Sequence, residues 1–286
     1  MNRCALLFLS GRPLARRALW WDGAQSPELG LIYGDPSGSG SSPNPEWIGY
    51  ADGARSRQPL ARLDTHADGR PDRSAAGARR VVWCGDADSI PESELRAMMA
   101  GALDVTERHH LPQDKSMSDG AVLMERCLAD APSGGTWVVE IIGALGGRRD
   151  HEIVNLAEIR HVFFGEAVSG QTGSAVLSQR ACVVIVQPSL IVANVPVSIR
   201  GLPPGLPLTV LVSQPSLPVA LGGLRYSGTF GLERPSQGLS NVVEGDTVHV
   251  EPLSGAAAAE GARASWRCPG ACYTVVIGHD ESCYFV

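Results

Sequence analysis

Short apolar runs alternate with helix-forming stretches over roughly the first 165 residues, and this alternation most constrains the fold. The apolar runs are CALLFL, EWIGYA, RRVVWC, LDVTERHH and TWVVEIIGA, and the helical stretches include PESELRAMMAGAL, SDGAVLMERCLADA and DHEIVNLAEIRHVF. Strands that alternate with helices form parallel sheets that helices cover on both faces. The pattern predicts an α/β fold with an N-terminal, mostly parallel and Rossmann-like sheet flanked by helices.

The composition changes after about residue 168. The following segment is rich in Val, Leu, Pro and Gly and shows no helical periodicity. Short strands separated by Pro and Gly are typical of a β-sandwich or barrel. We therefore predict two domains, an α/β domain over 1–168 and a smaller all-β domain over 169–286.

Charge and cysteine content exclude several classes of protein. With 24 Lys and Arg against 30 Asp and Glu, the chain has no broad basic surface for nucleic acid. No apolar stretch is long enough to span a membrane, and no signal peptide is evident. The seven scattered cysteines fit reduced thiols, and the spacing of those in the C-terminal segment matches no usual zinc motif. We expect a cytoplasmic protein that binds neither nucleic acid nor a membrane.

Polar clusters follow the predicted strands. Asp52 follows WIGYA, Asp86 and Asp88 follow VVWC, Asp119 starts a later helix, and Arg148 follows the last parallel strand. In an open parallel sheet these positions meet at the carboxyl edge, where ligands bind. Carboxylate oxygens that leave room for water suit Mg²⁺ on a nucleotide's phosphates.

Each of these features also has a common structural explanation. A lone D-x-D is usually only a turn, GGRRD alone is more often a charged loop, and Asp119 alone is most often an acid at a helix N-terminus. The chain contains neither a G-x-x-x-x-G-K-[ST] loop nor a G-x-S-x-G nucleophile turn. The hypothesis of a site depends on four loops meeting at one edge.

Several motifs occur together in a familiar order. GDADSI covers 85–90, GALGGRRDHEIVNL covers 143–156, YADGA covers 50–54, and GLRY and GLSN cover 223–226 and 238–241. Together they resemble the thiamine pyrophosphokinase (thiamine diphosphokinase) family, over most of the chain. The resemblance implies transfer of the pyrophosphoryl group of ATP to the hydroxyl of thiamine, which gives thiamine diphosphate and AMP. It also implies Mg²⁺ as cofactor and a homodimer whose site lies between the subunits.

The same resemblance assigns roles to individual residues. The metal ligands would be Asp86, Asp88 and Asp119, and one of these acids or Asp52 would accept the hydroxyl proton. The residues that bind ATP would be Ser89, Lys115, Ser118, Gly147 and Arg148. The residues that bind thiamine would be Asp150, His151, Ser240 and Asn241.

Two other functions stay open at this point. One is pyrophosphoryl transfer to a different small alcohol on the same fold. The other is a non-catalytic protein that binds thiamine or a nucleotide. The three acids favour an enzyme, because a protein that never handles a metal–phosphate complex has less need for them.

Overall fold

The computed structural model describes residues 3–9, 31–33, 47–52, 80–88, 92–93, 96, 105–114, 116–131, 136–145, 148–165, 180–186, 189–200, 202–253 and 271–278. Two polar segments that the sequence predicts to be loops, 34–45 and 64–80, lie outside these ranges, except for Arg80 at the start of β4. So do three residues assigned to ATP, namely Ser89, Lys115 and Gly147.

The described residues form strands and helices in the following order. The strands are β1 (Arg3–Phe8), β2 (Leu31–Tyr33), β3 (Trp47–Ala51), β4 (Arg80–Gly85), β5 (Glu107–His110), β6 (Thr136–Ile142), β7 (Arg180–Val186), β8 (Ser189–Ala193), β9 (Val197–Arg200), β10 (Pro207–Val212), β11 (Pro218–Gly222), β12 (Gly228–Gly231), β13 (Asn241–Val242), β14 (Thr247–Pro252) and β15 (Tyr273–Ile277). The helices are α1 (Asp119–Ala129), α2 (Arg149–Phe164) and a 3₁₀ helix (Pro235–Gly238).

Ten of these strands form one mixed sheet. Its order is β13-β10-β15-β8-β7-β6-β1-β3-β4-β5. The strands from β7 to β5 pair in parallel, and β8, β15, β10 and β13 continue the sheet with antiparallel pairs. Parallel pairing aligns the carboxyl ends of β6, β1, β3 and β4 along one edge.

The other five strands form a second, antiparallel sheet with the order β12-β11-β14-β9-β2. It packs against the antiparallel part of the large sheet, since one buried cluster takes Val184, Val210 and Val275 from the large sheet and Val219 and Val250 from the small one. Two antiparallel sheets around one core form a β-sandwich.

A second core lies between the parallel strands and the two α-helices. It contains Leu123 and Met124 of α1, Ile159 and Phe163 of α2, and Ile141 of β6. Hydrophobic residues recur three to four positions apart on one face of each helix, and these faces pack against the sheet and each other. The helices thus cover one face of the parallel strands.

The structure confirms a mixed α/β fold with a sandwich in its C-terminal part. A self-contained Rossmann-like sheet is not confirmed, because the parallel strands continue through β7 into antiparallel ones. β7 belongs to the predicted second domain, yet it pairs with β6 of the first. The boundary at residue 168 falls in 166–179, outside the described ranges, and stays a prediction. Among the described residues, no helix has the length and apolar character needed to cross a membrane.

Charged side chains line the β5 edge of the large sheet. Arg80 pairs with both Glu107 and Asp130, and its Nη2 lies 2.7 Å from Glu107 Oε2. Asp130 also accepts a hydrogen bond from Trp47 Nε1 at 3.0 Å. These contacts join β3, β4, β5 and the end of α1. Charged residues at an edge strand also discourage pairing with another chain.

We expect Arg80→Met to lower stability by about 1 kcal/mol at neutral pH, a modest value because the pair is partly exposed. Hydrogen bonds from Arg80 lower the pKa of Glu107. The pairing therefore stabilises the protein above the unfolded pKa of about 4.3, and this contribution is lost as the pH falls through the folded pKa. Urea unfolding at neutral pH and near pH 3 measures the difference.

Arg96→Met is the matched control, because Arg96 pairs with Glu92 on an exposed helical surface, where both side chains are 76% exposed. This control should change stability little at either pH. A loss for Arg80→Met that is equally large near pH 3 would contradict the assigned pairing.

Candidate active site

Three carboxylates meet at the carboxyl edge of the parallel strands. One oxygen from each of Asp52, Asp86 and Asp88 lies within 4.8 Å of the others. Asp52 directly follows β3, and the other two follow β4. Because β3 and β4 are parallel neighbours, their ends bring these side chains together. We call these three residues the acid cluster.

Gly85 allows the close approach of Asp52 to β4. A Cβ atom at Gly85 would lie 2.2 Å from the Cβ of Asp52, which is too close for two non-bonded carbon atoms. The backbone N–H of Asp52 donates to the carbonyl of Cys84 at 2.9 Å and continues the ladder past the end of β3. Asp52 is only 3% exposed, so the acid cluster is closed to solvent on the side of Asp52.

The turn after β4 places the other two acids. Ala87 adopts a left-handed backbone conformation with φ of 66°, which is uncommon for a residue other than glycine. Asp86 Oδ1 accepts a long hydrogen bond of 3.4 Å from the N–H of Asp88. Asp86 is partly buried and Asp88 is exposed, so the cluster opens towards solvent. Backbone strain of this kind is often retained at functional sites.

The donor set of the acid cluster fits a hard divalent cation. Three carboxylate oxygens with one exposed side suit Mg²⁺, which prefers oxygen ligands and keeps some of its waters. The sequence grouped Asp86 and Asp88 with Asp119, whereas the structure groups them with Asp52. Asp119 as a metal ligand stays a prediction. The signal for Asp52 was its place after a strand, but sequence alone does not tell which strand is its neighbour.

The start of α1 lies at the same edge. Ser118 is the N-cap, and its Oγ accepts a hydrogen bond of 3.1 Å from the N–H of Ala121. A Cβ at Gly120 would lie 3.1 Å from Leu9 Cδ2, which places this turn beside the end of β1. Asp119 therefore starts a helix next to the strand that separates β3 from β6.

Arg148 and Asp150 pair with each other at the start of α2. Arg148 Nε lies 3.1 Å from Asp150 Oδ1, and Nη2 lies 2.5 Å from Oδ2. These hydrogen bonds lower the pKa of the Asp150 carboxyl. Both side chains and His151 are exposed. Arg148 is the N-cap residue, and its own side chain makes no capping hydrogen bond. The Asp150 carboxylate also accepts hydrogen bonds from backbone N–H groups of this first turn.

Ser240 and Asn241 lie far from the acid cluster within one chain. Asn241 starts β13, seven strands away from β3 across the large sheet. At about 4.8 Å per strand, this is a separation of roughly 30 Å. The structure therefore does not bring the predicted thiamine residues of the β-sandwich to the acid cluster of the same chain.

The side chain of Asn241 is mostly used inside the protein. Its Oδ1 accepts hydrogen bonds from the N–H groups of Tyr226 and Val242, and its Nδ2 donates to the carbonyl of Tyr226, each at 3.0 Å. Asn241 is 5% exposed, whereas the ring of Tyr226 is 63% exposed. Ser240 is exposed, with a left-handed φ of 56°. A role in thiamine binding stays a prediction for both predicted residues.

The fold matches solved thiamin pyrophosphokinase structures. A thiamin pyrophosphokinase family protein from Enterococcus faecalis aligns over 98% of this chain and 100% of its own, with a TM-score of 0.53 and 16% identity. Thiamin pyrophosphokinase from Candida albicans aligns over 97% of this chain and 90% of its own, with a TM-score of 0.53 and 13% identity. No protein-family profile and no curated protein sequence matches the chain. At these identities the likeness shows a shared fold.

We expect Gly85→Ala to move Asp52 away from the other two acids, because the added Cβ overlaps the Asp52 side chain. Binding of Mn²⁺, used as a spectroscopic substitute for Mg²⁺, should weaken at least tenfold by titration, since one of three ligands is displaced.

Gly222→Ala is the control, because a Cβ there meets its nearest atom, His249 Cβ, at an ordinary 3.7 Å. It should bind Mn²⁺ like the wild type. Unchanged Mn²⁺ affinity in folded Gly85→Ala would contradict the assigned cluster.

Proposed function

We propose that the protein is a Mg²⁺-dependent thiamine diphosphokinase, which converts ATP and thiamine to AMP and thiamine diphosphate. The observation that carries this proposal is the acid cluster at the carboxyl edge of the parallel strands. The likeness of the whole fold to thiamin pyrophosphokinase structures supports it. So do the motifs GDADSI and GGRRDH, which flank this edge.

The reaction forms one bond and breaks one. The hydroxyl oxygen of thiamine attacks the β-phosphorus of ATP, the bond from that phosphorus to the α,β-bridging oxygen breaks, and AMP leaves. The proton of the hydroxyl passes to a carboxylate. Such a step needs in-line positioning and neutralisation of charge more than covalent catalysis.

The acid cluster would hold the metal, and bound Mg²⁺ would neutralise negative charge on the phosphates. Asp52, Asp86 and Asp88 supply the oxygen ligands in this proposal, and Asp119 at the start of α1 is a further candidate. The acceptor of the hydroxyl proton is one of these four acids. Asp52 is 3% exposed, and a cation interacts more strongly with a carboxylate that is shielded from water than with an exposed one.

Arg148 and the start of α2 would bind the phosphates. Exposed ion pairs contribute little stability, so a phosphate can take the guanidinium from Asp150 at small cost. The N-terminus of a helix such as α2 favours an anion, because its first N–H groups have no partner within the helix. Ser118 would donate its hydroxyl hydrogen, and Ser89, Lys115 and Gly147 complete the proposed set.

Thiamine binding would require a homodimer in this proposal. Asp150 and His151 lie on α2, whereas Ser240 and Asn241 lie on the far side of the large sheet. A second subunit could bring its β-sandwich to the acid cluster of the first. The long separation within one chain supports this arrangement.

The cytoplasm is the proposed compartment. Four cysteines in the described part of the chain, Cys84, Cys127, Cys182 and Cys272, are free and buried. Burial raises the pKa of Cys127 and Cys182, so these thiols are unreactive. Unpaired thiols are typical of reducing compartments.

We expect Asp86→Asn to lower thiamine- and Mg²⁺-dependent release of AMP from ATP by about 100-fold or more, the size of effect seen when one charge-stabilising group is removed. Circular dichroism should remain unchanged because Asp86 lies in a solvent-facing turn. AMP release with and without thiamine, in Mg²⁺ and in EDTA, is the measurement.

Asp246→Asn makes the same change at an exposed turn of the β-sandwich and should keep full activity. Full activity of Asp86→Asn would refute the metal assignment. If the wild type binds thiamine but releases no AMP, it is a thiamine-binding protein. If it does neither, other small alcohols are the acceptors to screen.

A further inference from the structure

The side chain of Asn155 is bonded to the segment that precedes its own helix. Its Nδ2 donates to the carbonyl oxygen of Ala144 at 2.7 Å. Asn155 lies in the second turn of α2, and Ala144 lies between β6 and α2. The bond therefore joins α2 to the residues that directly follow β6.

Packing against the core holds the residues that directly follow β6. Gly143 has a positive φ of 75°, which glycine adopts readily, and residues 143–145 form a bend after β6. Ala144 and Leu145 are 1% and 7% exposed and belong to the core shared with the helices. A buried backbone carbonyl needs a hydrogen-bond partner, and Asn155 supplies it for Ala144.

Arg148 lies at the other end of this connection, after residues 146 and 147, which are outside the described ranges. Arg148 is the N-cap of α2 without a side-chain cap. The N–H of Glu152 donates to the carbonyl of Arg148 at 3.0 Å, which ties Arg148 to the helix. The contact of Asn155 with Ala144 is thus a link between the first turns of α2 and the end of β6.

The position of this link matters for the acid cluster. β6 and β3 are separated only by β1, a distance of roughly 10 Å between their ends. The proposed metal site and the proposed phosphate-binding segment therefore face each other across one strand. A small displacement of α2 would change the distance from Arg148 to phosphates held at the acid cluster.

We propose that Asn155 is a positioning residue, which fixes the start of α2, with Arg148, relative to residues 143–145 at the end of β6, where Arg148 would meet the phosphates of ATP. It acts through Arg148 and the helix N–H groups and does not touch substrate. This inference rests on the proposed function, since it assigns a task to the same site.

The test is Asn155→Ala, with binding of MgATP measured by calorimetry, steady-state kinetics and amide hydrogen exchange of the ligand-free protein. Loss of one net hydrogen bond corresponds to about a fivefold effect. We expect KM and Kd for MgATP to rise about fivefold, while KM for thiamine changes less. Exchange of the amides in 143–153 should become faster. Asn155→Gln keeps the amide donor and should restore part of the affinity.

Asn194→Ala is the matched control. Asn194 Oδ1 accepts a hydrogen bond of 2.9 Å from the N–H of Ala181, so it is also a partly buried side-chain amide bonded to backbone. Ala181 pairs with Trp137 near the start of β6. This is the amino end of the parallel strands, whereas the acid cluster lies at their carboxyl ends. This variant should lose thermal stability without a change in KM for MgATP.

The outcomes separate this inference from the proposed function. If the wild type releases AMP and Asn155→Ala binds MgATP as tightly as the wild type does, the inference is wrong and the function stands. If the wild type releases no AMP but Asn155→Ala weakens MgATP binding, the function is wrong and the inference stands. An equal rise in KM for Asn194→Ala would overturn the inference, and a wild type that binds no MgATP would overturn both.

Discussion

The structure depends on β7, which pairs in parallel with one neighbouring strand and antiparallel with the other. β7 is parallel to β6 and antiparallel to β8. Successive side chains of a strand point to opposite faces. Val183 and Ile185 therefore pack with the helices, while Cys182 and Val184 pack in the sandwich. The buried residues 181–185 of this strand thus contribute to both cores and join them in a single sheet.

This continuous sheet also fixes where chemistry can occur. The parallel half places Asp52, Asp86, Asp88 and the start of α2 along one edge, because the chain must return to the opposite edge to begin each new parallel strand. The antiparallel half places Asn241 on β13, the last strand at the other end of the sheet. A rigid sheet of this width keeps these two groups apart, so a ligand that contacts both needs a second subunit.

The acid cluster illustrates the balance between local strain and function. Gly85 has no side chain, which lets Asp52 approach, and Ala87 takes an unfavourable backbone conformation that sets the following turn. Three carboxylates so close together repel one another unless a cation or protons compensate their charge. A bound divalent cation would compensate this charge, as the proposed function requires.

The sequence by itself determined the residue types at each strand end, the strand and helix periodicities and the Gly-Asp-Ala-Asp turn, since these depend on neighbours along the chain. It predicted Asp86 and Asp88 at the site for that reason. Only the tertiary structure decided that Asp52 is the third acid of the cluster and that the Asn241 amide holds Tyr226. It also decided that β7 continues the parallel sheet into the sandwich. These contacts join residues that are distant in sequence, and strand order and register, which no local pattern encodes, bring them together.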